Sequence, residues 1–464
     1  MSDLRSDLEA IFGHVIADVT PHASDRTENP PRTPAFAVEA EREEQVGELL
    51  KLATRRGVPV TPKVAGMNIG GLAIPAEGGI VLGLRRLDAV EIDAAHMTAW
   101  IGPGVTWARL KEEAARHDLA LAYPLAPPDT SVLACALMDG LSTMALSHGS
   151  FADWITGVEA YLADGTKLVT GSAAVSGRPL SRGPLPDLTG LFVNWFGATG
   201  VVTRLGLTLW PQRPFRRREV VPCNSYEDAV ALMAGASRAG LFHDLAGIGW
   251  PAAKWALGVD RLGPRDPAEP ELYVIAEYDA DDAAELKLKA RRLKALAPAP
   301  PLSVDDLTAL VPDLAPFAEL PARLPFLLDH PGGGLTWVGT YGPLDRLAEG
   351  AREGAALMEK AGHPPLVVCR PMKAGHFAVL RFIERFDRRD GDATEAVRRL
   401  NVALGRMALD LGYVPYKCPD VLLDDVLARM DPGFRETMLR VKRALDPGNV
   451  LNPDRWRFSG GAGG

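Results

Sequence analysis

The sequence predicts an α+β protein in two parts: a mixed strand-and-helix region, and an antiparallel sheet with helices on one face. Three observations predict it. The chain has 464 residues, too many for one ordinary core, so two or three domains are expected. Short strand-like runs alternate with stretches of helical periodicity along its length. Residues 216–413 also carry a weak internal repeat whose halves both read β-α-β-β-α, a unit that folds as such a sheet.

In chain order, residues 1–30 read as a loosely anchored arm. Arg42 to Arg56 is predicted helical, with Val46, Leu49, Leu50 and Ala53 on one face and Gly57 as the stop. V-P-V-T-P-K-V continues as a strand and runs into K-V-A-G-M-N-I-G-G-L-A-I-P, Lys63 to Pro75. Glycines there allow a tight turn and close approach, so that bare N–H groups can cradle an anion; a simple turn collects glycine too. The next segment, G-G-I-V-L-G-L, is a strand. A Rossmann site needs a helix at that point and is disfavoured. V-E-I-D-A and T-A-W-I are strands, G-P-G a turn, and W-A-R-L-K-E-E-A-A-R-H-D a helix. Ala163-Asp164-Gly165-Thr166 signals a hairpin, and G-A-T-G-V-V-T-R-L-G-L-T-L-W-P closes the first region near Pro214.

The repeat follows. Its first half is R-R-E-V-V-P-C, a helix from Tyr226 to Ala239, strands L-A-G-I-G-W and E-L-Y-V-I-A-E-Y, and a helix from Asp281 to Leu296. Its second half is G-L-T-W-V-G-T-Y, a helix from Leu344 to Ala361, strands P-L-V-V-C-R-P and G-H-F-A-V-L-R-F-I-E-R-F, and a helix from Ala393 to Leu411. The proline-rich stretch between the halves reads as loop. A last helix is stopped by Asp-Pro-Gly at residues 446–448.

Composition excludes several classes. Hydrophobic residues make up 47%, as in a globular protein, and the net charge of -8 argues against a dedicated nucleic-acid binder. No apolar run reaches membrane-spanning length, and the acid-bearing N-terminus lacks a signal-peptide pattern. Cys135, Cys223, Cys369 and Cys418 are too scattered for a zinc site or disulfide framework, so the expected location is cytoplasmic.

Taken in order, Val64 to Gly71, G-P-G-V-T-W-A-R-L, S-V-L-A-C-A-L-M-D-G, G-V-E-A-Y-L-A-D-G, G-L-F-V-N-W-F-G-A-T-G-V-V-T and L-D-P-G-N-V-L-N-P resemble motifs of the vanillyl-alcohol oxidase/para-cresol methylhydroxylase flavoproteins. The resemblance implies a two-part FAD-binding domain of the para-cresol methylhydroxylase type, residues 1–215 plus 414–464. Residues 216–413 would form a cap carrying the substrate site. It implies that Ala65, Gly66, Met67, Asn68, Ile69, Gly70 and Gly71 form the pyrophosphate loop, joined by Thr130, Ser131, Cys135 and Gly140. Gly200, Val201 and Val202 would run along the adenine side. Two places depart from the pattern. Ala65-Gly66-Met67-Asn68 stands where relatives often show Gly-Gly-Thr-Asn, and Cys135-Ala136 where glycine is common.

For chemistry, the resemblance points to Tyr416-Lys417, matching a Tyr-Arg pair that stabilises a phenolate in the phenol-oxidising branch. Arg370 and Arg381 are candidates to pair with an anionic substrate group, and His376 is a candidate proton acceptor; a solvated arginine or a structural histidine are the plain alternatives. The implied activity is hydride transfer from a small organic alcohol or para-substituted phenol to flavin N5. A 2-hydroxy-acid dehydrogenase and a flavin-binding electron-transfer subunit are the alternatives. FAD is expected to be non-covalent, because Met67 and Leu335 stand where relatives attach it through histidine. No metal is expected, since His363 and His376 lack an acidic partner motif. The partners expected are a small-molecule substrate and an electron acceptor of open identity, with a homo-oligomer compatible and no nucleic acid.

Overall fold

The computed structural model describes residues 2–67, 70–124 and 126–458. Its first sheet has three parallel strands in the order Phe36–Glu39, Ile80–Gly83, Val60–Lys63. The central strand, I-V-L-G, is buried at every residue, as an apolar run between two neighbours should be. Helix Glu43–Arg56 covers this sheet with Val46, Leu49, Leu50 and Ala53, all fully buried, and ends at Gly57 in the left-handed conformation. The second sheet is antiparallel, in the order Val90–Asp93, Thr98–Ile101, Val201–Thr208, Ile155–Tyr161, Lys167–Val169. The hairpin at residues 163–166 is present, its turn held by a 2.8 Å bond from the Thr166 N–H to Asp164 Oδ1.

The third sheet has eight strands and contains the repeat. Phe215–Cys223, Leu272–Ala280 and Asp244–Gly249 lie side by side, then Leu366–Met372, Phe377–Asp387 and Gly333–Gly342. The halves meet where Gly247 pairs with Cys369 and Ile248 with Val368. Helices Tyr226–Ala239, Ala283–Leu296, Leu347–Lys360 and Gly391–Asp410 pack on one face through Met233, Leu293, Ala351 and Leu404. Side chains alternate along a strand. Leu380 and Phe382 therefore enter that helical core, while Arg381 and Ile383 point to the opposite face, where they line a cavity.

Two expectations are corrected. Residues 1–30 are not a loose arm: Ser2–Phe12 is a helix whose Leu8 is fully buried, and Asp25, Thr27, Glu28 and Asn29 are buried as well. An amphipathic first turn, L-R-S-D-L-E-A-I-F, carries that signal in a short segment dominated by acids. The proline-rich connection is not all loop either. Leu302–Ser303 adds an edge strand against Glu219 and Val220, and Val304–Leu310 is a helix capped by Ser303. Among the described residues, no helix is long and apolar enough to cross a membrane.

The C-terminus closes back on the first sheet. The Val60 N–H donates to Val450 O at 2.7 Å, and the Asn452 N–H donates to Val60 O at 2.9 Å. Buried Lys442, on helix Pro432–Leu445, fixes this return: its ammonium donates to Asp446 Oδ2 (2.5 Å), Leu451 O (2.7 Å) and Ala198 O (2.8 Å). Removing one member of such a pair strands the other charge. Lys442→Met should therefore cost about 3–5 kcal/mol in urea unfolding, and a loss below about 1 kcal/mol, the range of an exposed pair, would contradict this role.

Candidate active site

Three adjoining cavities run between the first two sheets and the exposed face of the third. The first lies between Lys63 and Val202, lined by Val64, Gly66, Leu133, Ala134, Gly200 and Val201. It shares Val64, Gly66 and Ala134 with the second, whose walls add Ala65, Met67, Thr130, Ser131, Arg26 and Leu335. The second shares Cys135, Trp337 and Lys417 with the third, which holds Gly140, Arg370 and Arg381. The result is a long trough that opens at one end into a chamber under the large sheet.

The glycine-rich turn forms one wall of the trough. Gly66 has φ +67, a conformation that favours glycine. The N–H groups of Ala65, Gly66 and Met67 take no acceptor among the described residues. Asn68 and Ile69 lie outside the described residues. Gly70 (φ +87) and Gly71 (φ +75) do not line the trough. A Cβ on Gly70 would stand 3.2 Å from Pro419 Cα, and one on Gly71 would stand 3.0 Å from Asn29 Cγ, so these glycines admit neighbouring chain segments. On the facing wall, the side chains of Thr130 and Ser131 are already engaged, with Pro127 O at 2.8 Å and Pro103 O at 2.6 Å. Ser131 also caps helix Val132–Leu137, and any contribution to an anion comes from backbone. Small residues keep the trough open: a Cβ on Gly140 would meet Cys135 O at 3.0 Å, and one on Gly200 would meet Phe192 at 2.9 Å.

A trough of this length, with bare N–H groups at its middle and glycines and alanines along its walls, fits a dinucleotide. Lys63, which sequence reasoning did not single out, lies beside Gly66 and lines the trough; burial holds its ammonium below the ordinary lysine range. Its ammonium donates to Pro21 O at 3.2 Å, at the edge of the same trough. Arg26 on the second cavity was missed because it sits in the stretch read as a loose arm.

In the chamber, strand register decides which side chains meet. Gly339 pairs with Arg381, and the Tyr416 ring lies on Gly339, where a Cβ would be 2.6 Å from Tyr416 Cε1. Arg381 Nη2 consequently donates to the Tyr416 hydroxyl, and its guanidinium lies 5.1 Å from the Trp337 ring and 5.6 Å from the Tyr416 ring. Tyr341 stacks on Tyr416 at 4.6 Å and donates to Asp139 O at 2.6 Å, which fixes the pair. The Lys417 ammonium is 5.9 Å from the Trp337 ring, and its charge also bears on Cys135, whose thiol burial pushes up. The rest of the lining is apolar: Ile248, Phe317, Phe326, Leu366, Val368 and Ile383.

Two other candidates sit differently. Arg370 lines the chamber but is tied down: it donates to Asp244 Oδ2 at 2.7 Å and to Ser142 O at 3.1 Å, all buried. His376 lies exposed on the turn between Leu366–Met372 and Phe377–Asp387, and it lines none of the three cavities. The predicted strand began two residues too early, at Gly375 instead of Phe377; the hairpin tip carries His376 away from the chamber. Among the described residues, no group of three or more His, Cys, Asp or Glu is placed to hold a metal ion.

Residues 34–171 match the family described as FAD binding domain. Residues 34–171 are thus an FAD-binding domain, and FAD is the cofactor that it takes. The chain is similar to an uncharacterized FAD-linked oxidoreductase of Mycobacterium tuberculosis, 28% identical over 53% of this chain and 52% of the relative. It is likewise 28% identical to a D-lactate dehydrogenase of Archaeoglobus fulgidus, over 43% of this chain and 44% of that one. The chain thus spans about half the length of the curated relatives it matches. Its fold superposes on p-cresol methylhydroxylase with substrate bound (TM-score 0.86, 18% identity, 98% of this chain and 96% of that one). It superposes equally on the 4-ethylphenol oxidase of Gulosibacter chungangensis in its isoeugenol complex (TM-score 0.87, 18% identity, 98% and 96%).

Burial pushes the Asp244 carboxyl up to about 6, although Arg370 pulls it down. Below that pH Asp244 takes a proton and stops offsetting Arg370, so the chamber becomes more positive. Binding of benzoate, followed by tryptophan fluorescence, should tighten roughly tenfold between about pH 7 and about pH 5 in the wild type and much less in Asp244→Asn. An equal pH response in both would remove Asp244 from the account.

Proposed function

We propose that this protein is an FAD-dependent oxidoreductase that oxidises a small organic alcohol or para-substituted phenol. The observation that carries the reading is the convergence of Arg381, Tyr416 and Lys417 at one side of an otherwise apolar chamber that joins the trough through Cys135, Trp337 and Lys417. Bound FAD supplies the two-electron acceptor. It would be held by the N–H groups of Ala65 to Met67, by Lys63 and by the Gly200–Val202 backbone. Arg381 donates to the Tyr416 oxygen, which polarises the Tyr416 O–H toward a substrate oxygen. The Lys417 ammonium offsets the negative charge on that oxygen, in a site whose apolar walls keep water from screening it. A substrate phenol is thereby favoured as its anion, while its apolar substituent packs against Ile248, Phe326 and Ile383.

A 2-hydroxy acid is the second reading, supported by the likeness to D-lactate dehydrogenase. Against it stands Arg370, the expected carboxylate clamp, which is already held by Asp244. Lysine offers a point charge where arginine offers a bidentate fork, and so suits a single oxygen better than a carboxylate. Anaerobic mixing with panels of para-alkylphenols, alcohols and 2-hydroxy acids separates the readings, because only accepted substrates bleach the bound flavin. Bleaching by none of the three panels would leave a flavin-binding electron-transfer subunit.

Two outcomes test the assignments. Lys417→Met should slow flavin reduction about 100-fold, the cost of losing a charge-assisted contact of roughly 2–4 kcal/mol, with FAD content unchanged; a wild-type rate would make Lys417 structural. Met67 and Leu335 line the trough and offer no nucleophile, so acid precipitation should release the yellow colour into the supernatant. Colour retained in the pellet would refute non-covalent binding.

A further inference from the structure

The end of the trough away from the chamber is held in shape by residues near the C-terminus. The first cavity shares lining residues with the second and none with the chamber. Phe196 and Gly197 line it, as do Leu72 and Ala73, and residues 452–458 grip both segments. Trp456 stacks on Phe196, with ring centroids 5.9 Å apart and planes 19° from parallel, and its Nε1 donates to Asn194 O at 3.1 Å. Asn452 Nδ2 donates to Phe196 O at 2.6 Å. Beside them Trp195 stacks on Phe458 at 6.1 Å. Next to Leu72, buried Arg455 donates from Nη2 to Gly71 O, while its Nη1 pairs with Asp420 at 2.5 Å.

The backbone records how firmly this arrangement is imposed. Asn194 and Phe196 have φ +60 and +51, and in the tail Asn452, Trp456 and Arg457 have φ +41, +56 and +53. That is the left-handed region, which residues with a side chain enter at a cost and bulky ones most rarely. Such conformations persist only where contacts over-determine them, and they collect at ligand clamps. The contacts are identifiable here. Each left-handed loop residue offers its carbonyl to a tail side chain, Asn194 to Trp456 and Phe196 to Asn452. Gly197, at φ +78, then sets the loop against Pro62, where a Cβ would stand 2.7 Å from Pro62 Cγ. The outcome is that Phe196 is presented on the cavity wall.

FAD carries its flavin at one end and adenine at the other. The function proposed above sets the flavin against the chamber, and on that reading the adenosine half falls in the first cavity. We infer that residues 452–458 clamp this half: Phe196 packs on the adenine, and Trp456 and Asn452 are positioning residues that fix Phe196 for it. An aromatic ring suits the flat, apolar face of a base. Leu133, Leu137 and Phe192 on the same walls keep the slot apolar. FMN ends at its single phosphate and does not reach the clamp. The tail therefore selects the dinucleotide over the mononucleotide.

Calorimetric titration of the full chain, freed of flavin, with FAD and separately with FMN tests the clamp. Trp456→Ala should weaken FAD about 30-fold and leave FMN within about twofold of wild type. Trp456→Phe keeps the stacked ring and loses only the Nε1 bond, so it should bring FAD back to within about threefold of wild type. Phe196→Ala removes the wall itself and should reproduce the FAD-selective loss; it decides the matter if Trp456→Ala does not fold. Equal weakening of FAD and FMN would make Trp456 merely structural, and unchanged FAD binding or no rescue by phenylalanine would overturn the clamp alone. A wild type that binds neither flavin would overturn the functional reading and the clamp together.

Discussion

The contact on which the site depends is the one between Arg381 and the Tyr416 hydroxyl, and a glycine makes it possible. Tyr416 lies flat on the sheet because Gly339 offers no side chain beneath it, and register sets Arg381 directly opposite that glycine. Trp337, two residues earlier on the same strand and therefore on the same face, closes the other side of the guanidinium. Lys417 follows from chain continuity, since fixing Tyr416 on the sheet leaves the next residue at the junction of chamber and trough. A cation, a polarised hydroxyl and a second cation are thus placed by backbone geometry before any ligand arrives, which is the condition for electrostatic stabilisation without reorganisation.

The rest of the molecule holds that face against the trough from both ends of the chain. At the C-terminal end, residues 450–452 bond to Val60 just before the glycine-rich turn, and Lys442 holds their approach. At the N-terminal end, residues 25–29 bridge the same turn to the large sheet. Each tie uses buried or half-buried polar groups: the Lys442 ammonium at one end, and at the other Arg26, whose backbone oxygen accepts from the Leu335 N–H and whose Nη1 donates to Leu328 O.

Much of this was legible in sequence. The doubled β-α-β-β-α unit is a long-range regularity of strongly periodic segments, so helix Tyr226–Ala239 and its counterparts fall where the apolar spacing puts them. Gly66 and Gly200 were legible through the family resemblance of their motifs, and both line the trough. What was not legible depended on contacts between distant segments. Arg370 looks like a free cation until Asp244, 126 residues away, is seen beside it. His376 looks like the start of a strand because a hairpin tip with Gly375 at φ +83 has no strong turn dipeptide to mark it. Glu28 reads as one more acid in a polar arm, and only tertiary structure shows it buried, with Asn401 donating to its carboxylate.

The central claim is that the Arg381–Tyr416–Lys417 group faces a flavin held in the adjoining trough. Titrating the purified yellow protein with a para-substituted phenol that cannot be oxidised tests this most directly, through the visible absorbance of the bound flavin. The account predicts a saturable spectral change, including a new long-wavelength band from a phenolate against the flavin, with one phenol bound per flavin. A protein whose flavin spectrum is unmoved by the phenol at saturating concentration would contradict it.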